Sequence, residues 1–193
     1  MLQAHLLQID LLLSRMHQRN HTNPHNLILD LIMKRENLKM KEFDYELNYK
    51  TIDFSLEENR KLYRIGRGEQ GVLLVRPYTD DICAHWKFRT PEIAVESSNK
   101  IFAMYLDYRD EEDFIGMDMC RKFFEMGFTR ARRYANHNSG RKYKKGTKEI
   151  LPQEEDHMTS KYAKAAKIFK NVRDIVAKSD TYVTMRKQWR SNE

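Results

Sequence analysis

Cysteine is scarce in this chain of 193 residues, which contains only Cys83 and Cys120. Two cysteines exclude a disulfide framework and a four-cysteine zinc site. Because both stand beside apolar residues, we expect buried free thiols in a reducing compartment. Glycine and proline are also infrequent, at seven and four residues, which argues against a fibrous or disordered chain.

Long apolar runs are missing as well. The longest candidate, residues 6–13, contains Gln8 and Asp10 and is far shorter than the ~20 residues of a transmembrane helix. No basic leader precedes it, so a secretory signal is not expected. We therefore predict no membrane partner and a cytoplasmic location, or a nuclear one in a eukaryotic cell.

The first 39 residues differ in character from the rest. They hold four of the seven histidines, and polar residues interrupt two short leucine-rich pieces at 6–16 and 27–33. A stretch typical of a domain start begins at Met40. We predict an N-terminal extension at 1–39, either a disordered arm or the product of an early start codon, followed by a single compact domain at 40–193.

Acidic residues almost disappear from one segment. Between Arg121 and Lys148 there are ten lysines and arginines against the single acid Glu125, an excess of nine positive charges in a chain of formal net charge +7. Such a concentration predicts an anionic partner, nucleic acid or another polyanion. A solvated basic surface is the simpler interpretation, and an acidic protein partner is a further alternative.

Hydrophobic spacing predicts helices in the second half of the chain. Thr90 and Pro91 form a helix start, and apolar residues continue at helical spacing to Tyr108. Asp113 is placed to cap the next helix, so that the two form a hairpin with an acidic connection. The predicted helices after Asp113 cover the first two-thirds of 116–148, then 160–178 and 181–191.

Residue patterns in the first half of the domain predict strands. Alternating aromatic and charged residues favour a strand or an extended arm at 43–49, and apolar runs beside turns favour strands at 72–75 and 82–88. Ser55 stands where it could cap a short helix. Together these patterns indicate an α+β fold, a mostly helical single domain with a small antiparallel sheet.

Three glycines, Gly66, Gly68 and Gly71, match the pattern G-x-G-x-x-G. In a dinucleotide-binding fold this pattern opens a helix, whereas here a strand is predicted after it. A glycine loop between strands covers ATP in protein kinases, with Lys87 as the strand lysine, but no H-R-D or D-F-G motif follows. A tight turn that needs glycine backbone angles is the simplest interpretation.

Several acids cluster at 107–113, between the two long helices. They lack the spacing and the glycine of a calcium loop. Acids at this point more simply cap a helix and solvate a turn. We therefore predict no metal site, and the sequence indicates no cofactor.

Phosphate binding by the basic segment is the leading functional hypothesis. Arginine favours bidentate contact with phosphate, a donor-rich turn follows the arginine-bearing helix end, and tyrosines can stack on bases. Tyr134 and Tyr143 are the predicted stacking residues. The predicted contacts to nucleic-acid phosphate are Arg130, Arg132, Arg133, His137, Ser139, Arg141, Lys142, Lys144 and Lys145.

The competing hypothesis is a small enzyme that acts on a nucleotide or a phosphorylated ligand. Its pocket would form where the 137–141 turn meets Gly66, Gly68, Gly71, His85 and Lys87. Convergence in one concave pocket would favour this enzyme, whereas a flat or convex basic face favours binding alone. The spacing indicates no catalytic triad, so no catalytic residue is assigned.

Three stretches carry a resemblance to a known family: GRGEQGVLLV, HWKFRTPEIA and FIGMDMCRKFFEMGFTRARRYANHNSGRKY. They are similar to the domain of unknown function 4385 family, small cytoplasmic-type proteins of bacteria, fungi, algae and viruses. The resemblance covers about residue 43 to the end and implies a single compact intracellular domain preceded by an extra arm. It implies no activity. Cys120 stands where alanine is expected in such sequences, which argues against a cysteine-based mechanism.

Overall fold

The computed structural model describes residues 43–193, and the predicted extension at 1–39 lies outside them. After a 3-10 turn at Tyr49–Thr51, six helices follow within these residues. They are α1 (Glu57–Arg60), α2 (Tyr78–Cys83), α3 (Pro91–Asp110), α4 (Phe114–Asn136), α5 (Lys161–Lys178) and α6 (Asp180–Asn192).

The prediction of an α+β fold with a small antiparallel sheet is wrong. Residues 43–193 contain no strand, and their only β-type pairs are two isolated bridges, Asp53 with Arg76 and Tyr143 with Ile150. At 72–75, Val72 and Val75 are buried in a run of turns. Their carbonyls both accept from the Thr79 hydroxyl at 2.9 Å, so they need no neighbouring strand.

The other two predicted strands are replaced for the same physical reason, since nearby side chains satisfy the backbone. At 82–88, which holds the end of α2 and a loop, the Ser97 hydroxyl donates to the carbonyl of His85 and accepts from the amide of Lys87. At 43–49, the carboxylate of Asp44 accepts from the amides of Glu46 and Leu47 and bends the chain.

The predicted starts of the long helices are confirmed. Thr90 Oγ1 accepts from the amide of Ile93 at 3.3 Å with Pro91 at the first helical position, and Ser160 Oγ accepts from Ala163 at 3.3 Å. The predicted short helix at 181–191 is α6. The cap predicted at Ser55 is wrong, because its hydroxyl donates to Asp53 and Leu56 takes the N-cap position of α1.

The acidic connection between α3 and α4 is held by Asp113. Its Oδ1 accepts from the amide of Gly116 at 3.2 Å, which confirms the predicted cap. The same carboxylate accepts from Arg60 Nη2 at 2.8 Å and from the Tyr78 hydroxyl at 2.5 Å. One side chain therefore caps α4 and joins it to α1 and α2.

Helix α4 is the centre of the described domain. It packs against α2, α3, α5 and α6, and every residue from Phe114 to Cys120 is buried. The single apolar face predicted for this helix is therefore too narrow for its first two turns, which are buried all round. Cys120 is a buried thiol as predicted, whereas Cys83, at the end of α2, is exposed.

Gly127 allows α4 and α5 to approach closely. A Cβ atom at this position would lie 2.5 Å from Cδ1 of the buried Phe169 ring on α5. We expect Gly127→Ala to lower the free energy of unfolding by ~1–3 kcal/mol, because the extra methyl overpacks the interface. Urea denaturation measures the effect. Adding Phe169→Leu should recover part of the loss, and a Gly127→Ala variant as stable as the parent would contradict the overpacking.

Candidate nucleic-acid interface

The first two cations of the basic segment belong to the core. Asp118, one turn earlier in α4, accepts through Oδ1 from Arg121 Nε at 2.8 Å and from the Tyr182 hydroxyl at 2.6 Å. Its Oδ2 accepts from the Tyr63 hydroxyl and lies 3.5 Å from Lys122 Nζ. The side chains of Asp118 and Lys122 are fully buried. These two cations are therefore engaged inside the fold.

The charges of this buried cluster strongly perturb one another. Burial alone would raise the pKa of Asp118, but Arg121, Lys122 and two tyrosine hydroxyls hold that pKa well below its usual range. Burial also lowers the pKa of Lys122 to about 8, against the opposing attraction of Asp118. Lys122 Nζ makes no hydrogen bond within the described residues and lies 5.0 Å from the centre of the Tyr63 ring.

The burial of Lys122 predicts a pH-dependent stability. Its pKa is about 8 in the fold against an ordinary value of 10.5, so the unfolded chain binds more protons between these values. The cost of burying the charge is fully present below pH 8, and the free energy of unfolding rises above it. From pH 7 to pH 10, we expect the free energy of unfolding of the parent to rise by about 2 kcal/mol more than that of Lys122→Met, which has no such group to titrate.

Urea denaturation of both proteins across this pH range measures that change. The exposed Lys178→Met variant is the matched control, and its difference from the parent should stay constant with pH. If the free energy of unfolding of Lys122→Met also differs from that of the parent by an amount that does not change with pH, the predicted effect of burying Lys122 is wrong.

The glycine turn lies against this cluster. Arg121 donates through Nη1 and Nη2 to the carbonyl of Gly68, at 3.3 Å in each case, and Thr129 Oγ1 donates to Glu69 Oε2 at 2.7 Å. Gly71, at φ +81°, leaves no room for a side chain beneath the ring of Phe43. Gly66 and its neighbours therefore form a tight turn fastened to α4, which agrees with the simplest interpretation of the pattern.

The arginines near the end of α4 differ in their surroundings. Arg132 donates through Nη1 to the carbonyl of His157 at 2.8 Å and through Nη2 to Asn136 Oδ1 at 2.7 Å, so it fastens the following loop to the helix. Arg130 is half-buried and Arg133 is exposed. Neither of these two side chains forms an ion pair with another described residue.

Residues 141–151 form a hairpin-shaped segment, here called the basic loop. The amide of Leu151 donates to the carbonyl of Lys142 at 2.9 Å and that of Lys144 to Glu149 at 3.0 Å, while Gly146 turns the chain at φ +78°. Every residue from 141 to 150 is exposed. The segment carries five cations: Arg141, Lys142, Lys144, Lys145 and Lys148.

Glu149 is the only acid of the basic loop. Its carboxylate lies 3.4 Å from Lys144 Nζ, and both side chains are more than half exposed. An ion pair so exposed contributes little and is easily exchanged for another anion. The loop therefore presents most of its positive charge to solvent.

The two predicted stacking tyrosines have different roles. Tyr143, in the basic loop, is 46% exposed and has Lys142 Nζ 5.4 Å from its ring centre. Tyr134 is 37% exposed, but its ring packs against Phe88 and Tyr162 and leaves no space for a side chain at Gly140. Tyr143 is the one with a ring free to stack on a base.

The predicted pocket groups line two separate clefts. One, of about 530 Å³, is lined by His137, Asn138, Ser139, Leu151, Pro152 and Glu154. The other, of about 660 Å³, lies beside α3 and includes His85 and Lys87. The two share no residue, and the glycine turn lines neither. His137 and Ser139 therefore lie in a different cleft from His85 and Lys87.

No group of three or more His, Cys, Asp or Glu side chains among residues 43–193 is arranged to hold a metal ion. None of the helices in this range combines the length and the apolar character that crossing a bilayer demands.

A family model described as Domain of unknown function (DUF4385) matches residues 44–192, most of the chain. The chain belongs to this family. The resemblance inferred from the sequence is thereby confirmed. Comparisons with curated proteins and with solved structures give no match. Membership of the 4385 family brings no activity with it, so a function has to be argued from the surface of this domain.

The buried cluster was not predicted from the sequence. Arg121 and Lys122 were included in the charge of the basic segment, and Tyr63, Asp118 and Tyr182 were not among the predicted site residues. A signal was present, because Asp118 stands three and four residues before the two cations, at the spacing of helical ion pairs, on a stretch that is otherwise apolar. That spacing predicts ion pairs of Asp118 with both cations, although it does not predict that they are buried.

Proposed function

We propose that this member of the 4385 family binds nucleic acid, chiefly through the phosphate backbone. The observation that supports the proposal most strongly is the basic loop, where five cations within ten exposed positions are opposed by Glu149 alone. Like charges held so close repel one another, and a polyanion relieves that repulsion. Release of counterions from the nucleic acid adds a further driving force.

Neighbouring elements extend the positive surface. Helices α4 and α5 run antiparallel, with Tyr134 against Tyr162 and Gly127 against Phe169. The end of α4 therefore lies beside the start of α5, which adds the exposed Lys161 and Lys164. At the same end of a domain, exposed basic groups can contact the phosphates of a nucleic acid, and exposed aromatic groups can stack on its bases.

The proposed contact set is narrower than the basic segment of the sequence. Arg121 and Lys122 are excluded because they are buried with Asp118, and Arg132 is excluded because it holds the following loop. The residues proposed to contact phosphate are Arg130, Arg133, Arg141, Lys142, Lys144, Lys145, Lys148 and Lys161.

A salt titration tests the proposal directly. The full chain is titrated into fluorescently labelled oligonucleotides, and anisotropy is measured from low to high salt. We expect log affinity to fall linearly with log salt, with a slope of roughly −0.7 per phosphate contacted on a single strand or −0.9 on a duplex. No binding of any oligonucleotide at low salt would reject the proposed function.

A further inference from the structure

The cleft at the base of the basic loop is large enough for part of a ligand. Its volume of about 530 Å³ falls within the range of small-molecule sites. The residues after α4 form one side of it, and another side is formed by Leu151, the last residue of the basic loop, and Pro152, which follows it. A ligand held by the cations of the loop would therefore have this cleft within reach.

His137 brings a defined hydrogen-bond acceptor to the cleft. Its side chain is 6% exposed, and Nδ1 lies 3.1 Å from the carbonyl oxygen of Pro152. Because a carbonyl can only accept, Nδ1 carries the proton, and in the neutral tautomer this leaves Nε2 as the acceptor. Nε2 has no hydrogen-bond partner among residues 43–193. The fold thus fixes the tautomer and leaves one nitrogen available.

Other polar groups around the cleft complement this acceptor. The Ser139 hydroxyl oxygen accepts from the amide of Arg141 at 3.3 Å, which leaves its proton to donate elsewhere. The exposed side-chain amide of Asn138 makes no hydrogen bond within the described residues and offers both a donor and an acceptor. A mixed set of this kind matches the edge of a nucleobase.

Glu154 argues against a phosphate inside the cleft. It lines the cleft, and its Oε1 accepts from the backbone amide of Asn138 at 2.9 Å, so the carboxylate is held in place. A fixed negative charge repels phosphate but tolerates a neutral base. Leu151 and Pro152 add apolar surface of the sort against which a base packs. The cleft and the basic loop therefore suit different parts of the same ligand.

We propose that this cleft takes one unstacked base of a single-stranded nucleic acid, while Arg141 and Lys142 hold the adjoining phosphate. The inference rests on the proposed function and adds the kind of nucleic acid to it. A base inside a duplex reaches such a cleft only after unpairing and unstacking, which costs a few kcal/mol. The protein should therefore prefer single strands.

The test compares a single-stranded oligonucleotide with a duplex of the same sequence, by anisotropy on the full chain at fixed low salt. We expect the parent to bind the single strand at least about 5-fold more tightly than the duplex. His137→Ala should weaken single-strand binding about 5- to 10-fold, the size of a lost hydrogen bond with packing, and leave duplex binding unchanged. His85→Ala, in the separate cleft beside α3, is the matched control and should change neither.

Circular dichroism and thermal unfolding check that each variant is folded. Should His137→Ala lose its structure, the exposed pair Asn138→Ala with Ser139→Ala tests the same cleft and should weaken single-strand binding by a similar factor. Equal affinity for both nucleic acids with no effect of the cleft variants would overturn this inference and leave the proposed function intact. Failure of both nucleic acids to bind would reject the proposed function itself.

Discussion

Asp118→Ala is expected to lower the free energy of unfolding by about 3–5 kcal/mol at neutral pH. The substitution leaves the cations Arg121 and Lys122 inside the fold without their counterion, and it removes the acceptor of the Tyr63 and Tyr182 hydroxyls. A loss of this size is a large part of the ~5–15 kcal/mol that stabilises a typical domain. Urea denaturation monitored by circular dichroism measures it.

Two comparison variants separate the contribution of the charge from that of the shape. Asp118→Asn keeps an acceptor oxygen of similar size but removes the charge, so it should lie between the parent and Asp118→Ala. Asp80→Ala removes the partner of Arg76 from an exposed pair at 3.1 Å, and about 0.5 kcal/mol or less is expected. A loss at Asp118 as small as that at Asp80 would contradict the view that the buried cluster holds the fold together.

Acid should abolish the contribution of the Asp118 carboxylate to the free energy of unfolding. Because the pKa of this carboxyl is held below its usual value in the fold, its stabilising effect is present above the ordinary pKa near 4. The effect declines as pH falls below that value, and it is gone once pH has fallen through the lower folded value. The parent and Asp118→Ala should therefore differ by a constant amount above pH 5 and converge in strong acid.

Reversing the charge of the basic loop is expected to reduce nucleic-acid affinity at least about 100-fold at low salt. The triple variant Lys142→Glu, Lys144→Glu and Lys145→Glu replaces three proposed phosphate contacts by repulsion. The slope of log affinity against log salt should become shallower by roughly 2–3, since about one counterion is released for each contact. All three side chains are exposed, so stability should change by less than about 1 kcal/mol.

A second triple variant controls for overall charge. Lys61→Glu, Lys178→Glu and Lys187→Glu make the same change in net charge at exposed positions outside the basic loop, Lys178 being at the opposite end of α5. This variant should keep most of the affinity of the parent. If both triple variants lose affinity equally, binding depends on net charge and not on the basic loop.

The elements predicted well from the sequence are those that local chemistry specifies. The side chains of Thr90, Asp113 and Ser160 each accept from the backbone amide three residues ahead and so cap a helix. The signal therefore lies within one turn of the chain. The strand predictions failed because a short apolar run reads the same in a buried turn as in a strand. Which of the two forms depends on partners outside the run itself, such as Thr79 for Val72 and Ser97 for His85.

The charge of the basic segment could likewise be predicted only in part from the sequence. Its concentration, its arginines and its tyrosines are visible in the sequence, and they predict a polyanion as partner. The sequence does not show that two of those cations are buried, because their counterion is joined to Tyr63 and Tyr182, 55 and 64 residues away along the chain. Nor does it show that Arg132 is engaged with the carbonyl of His157.

By itself, then, the sequence determined the family, the starts of the long helices and the presence of a strongly basic segment, because each depends on neighbouring residues. Only the tertiary structure decided that the described domain is helical without a sheet, and which cations face solvent. It also separated the His137 cleft from the one at His85. These outcomes depend on contacts between residues far apart in the chain, and local patterns carry no information about such contacts.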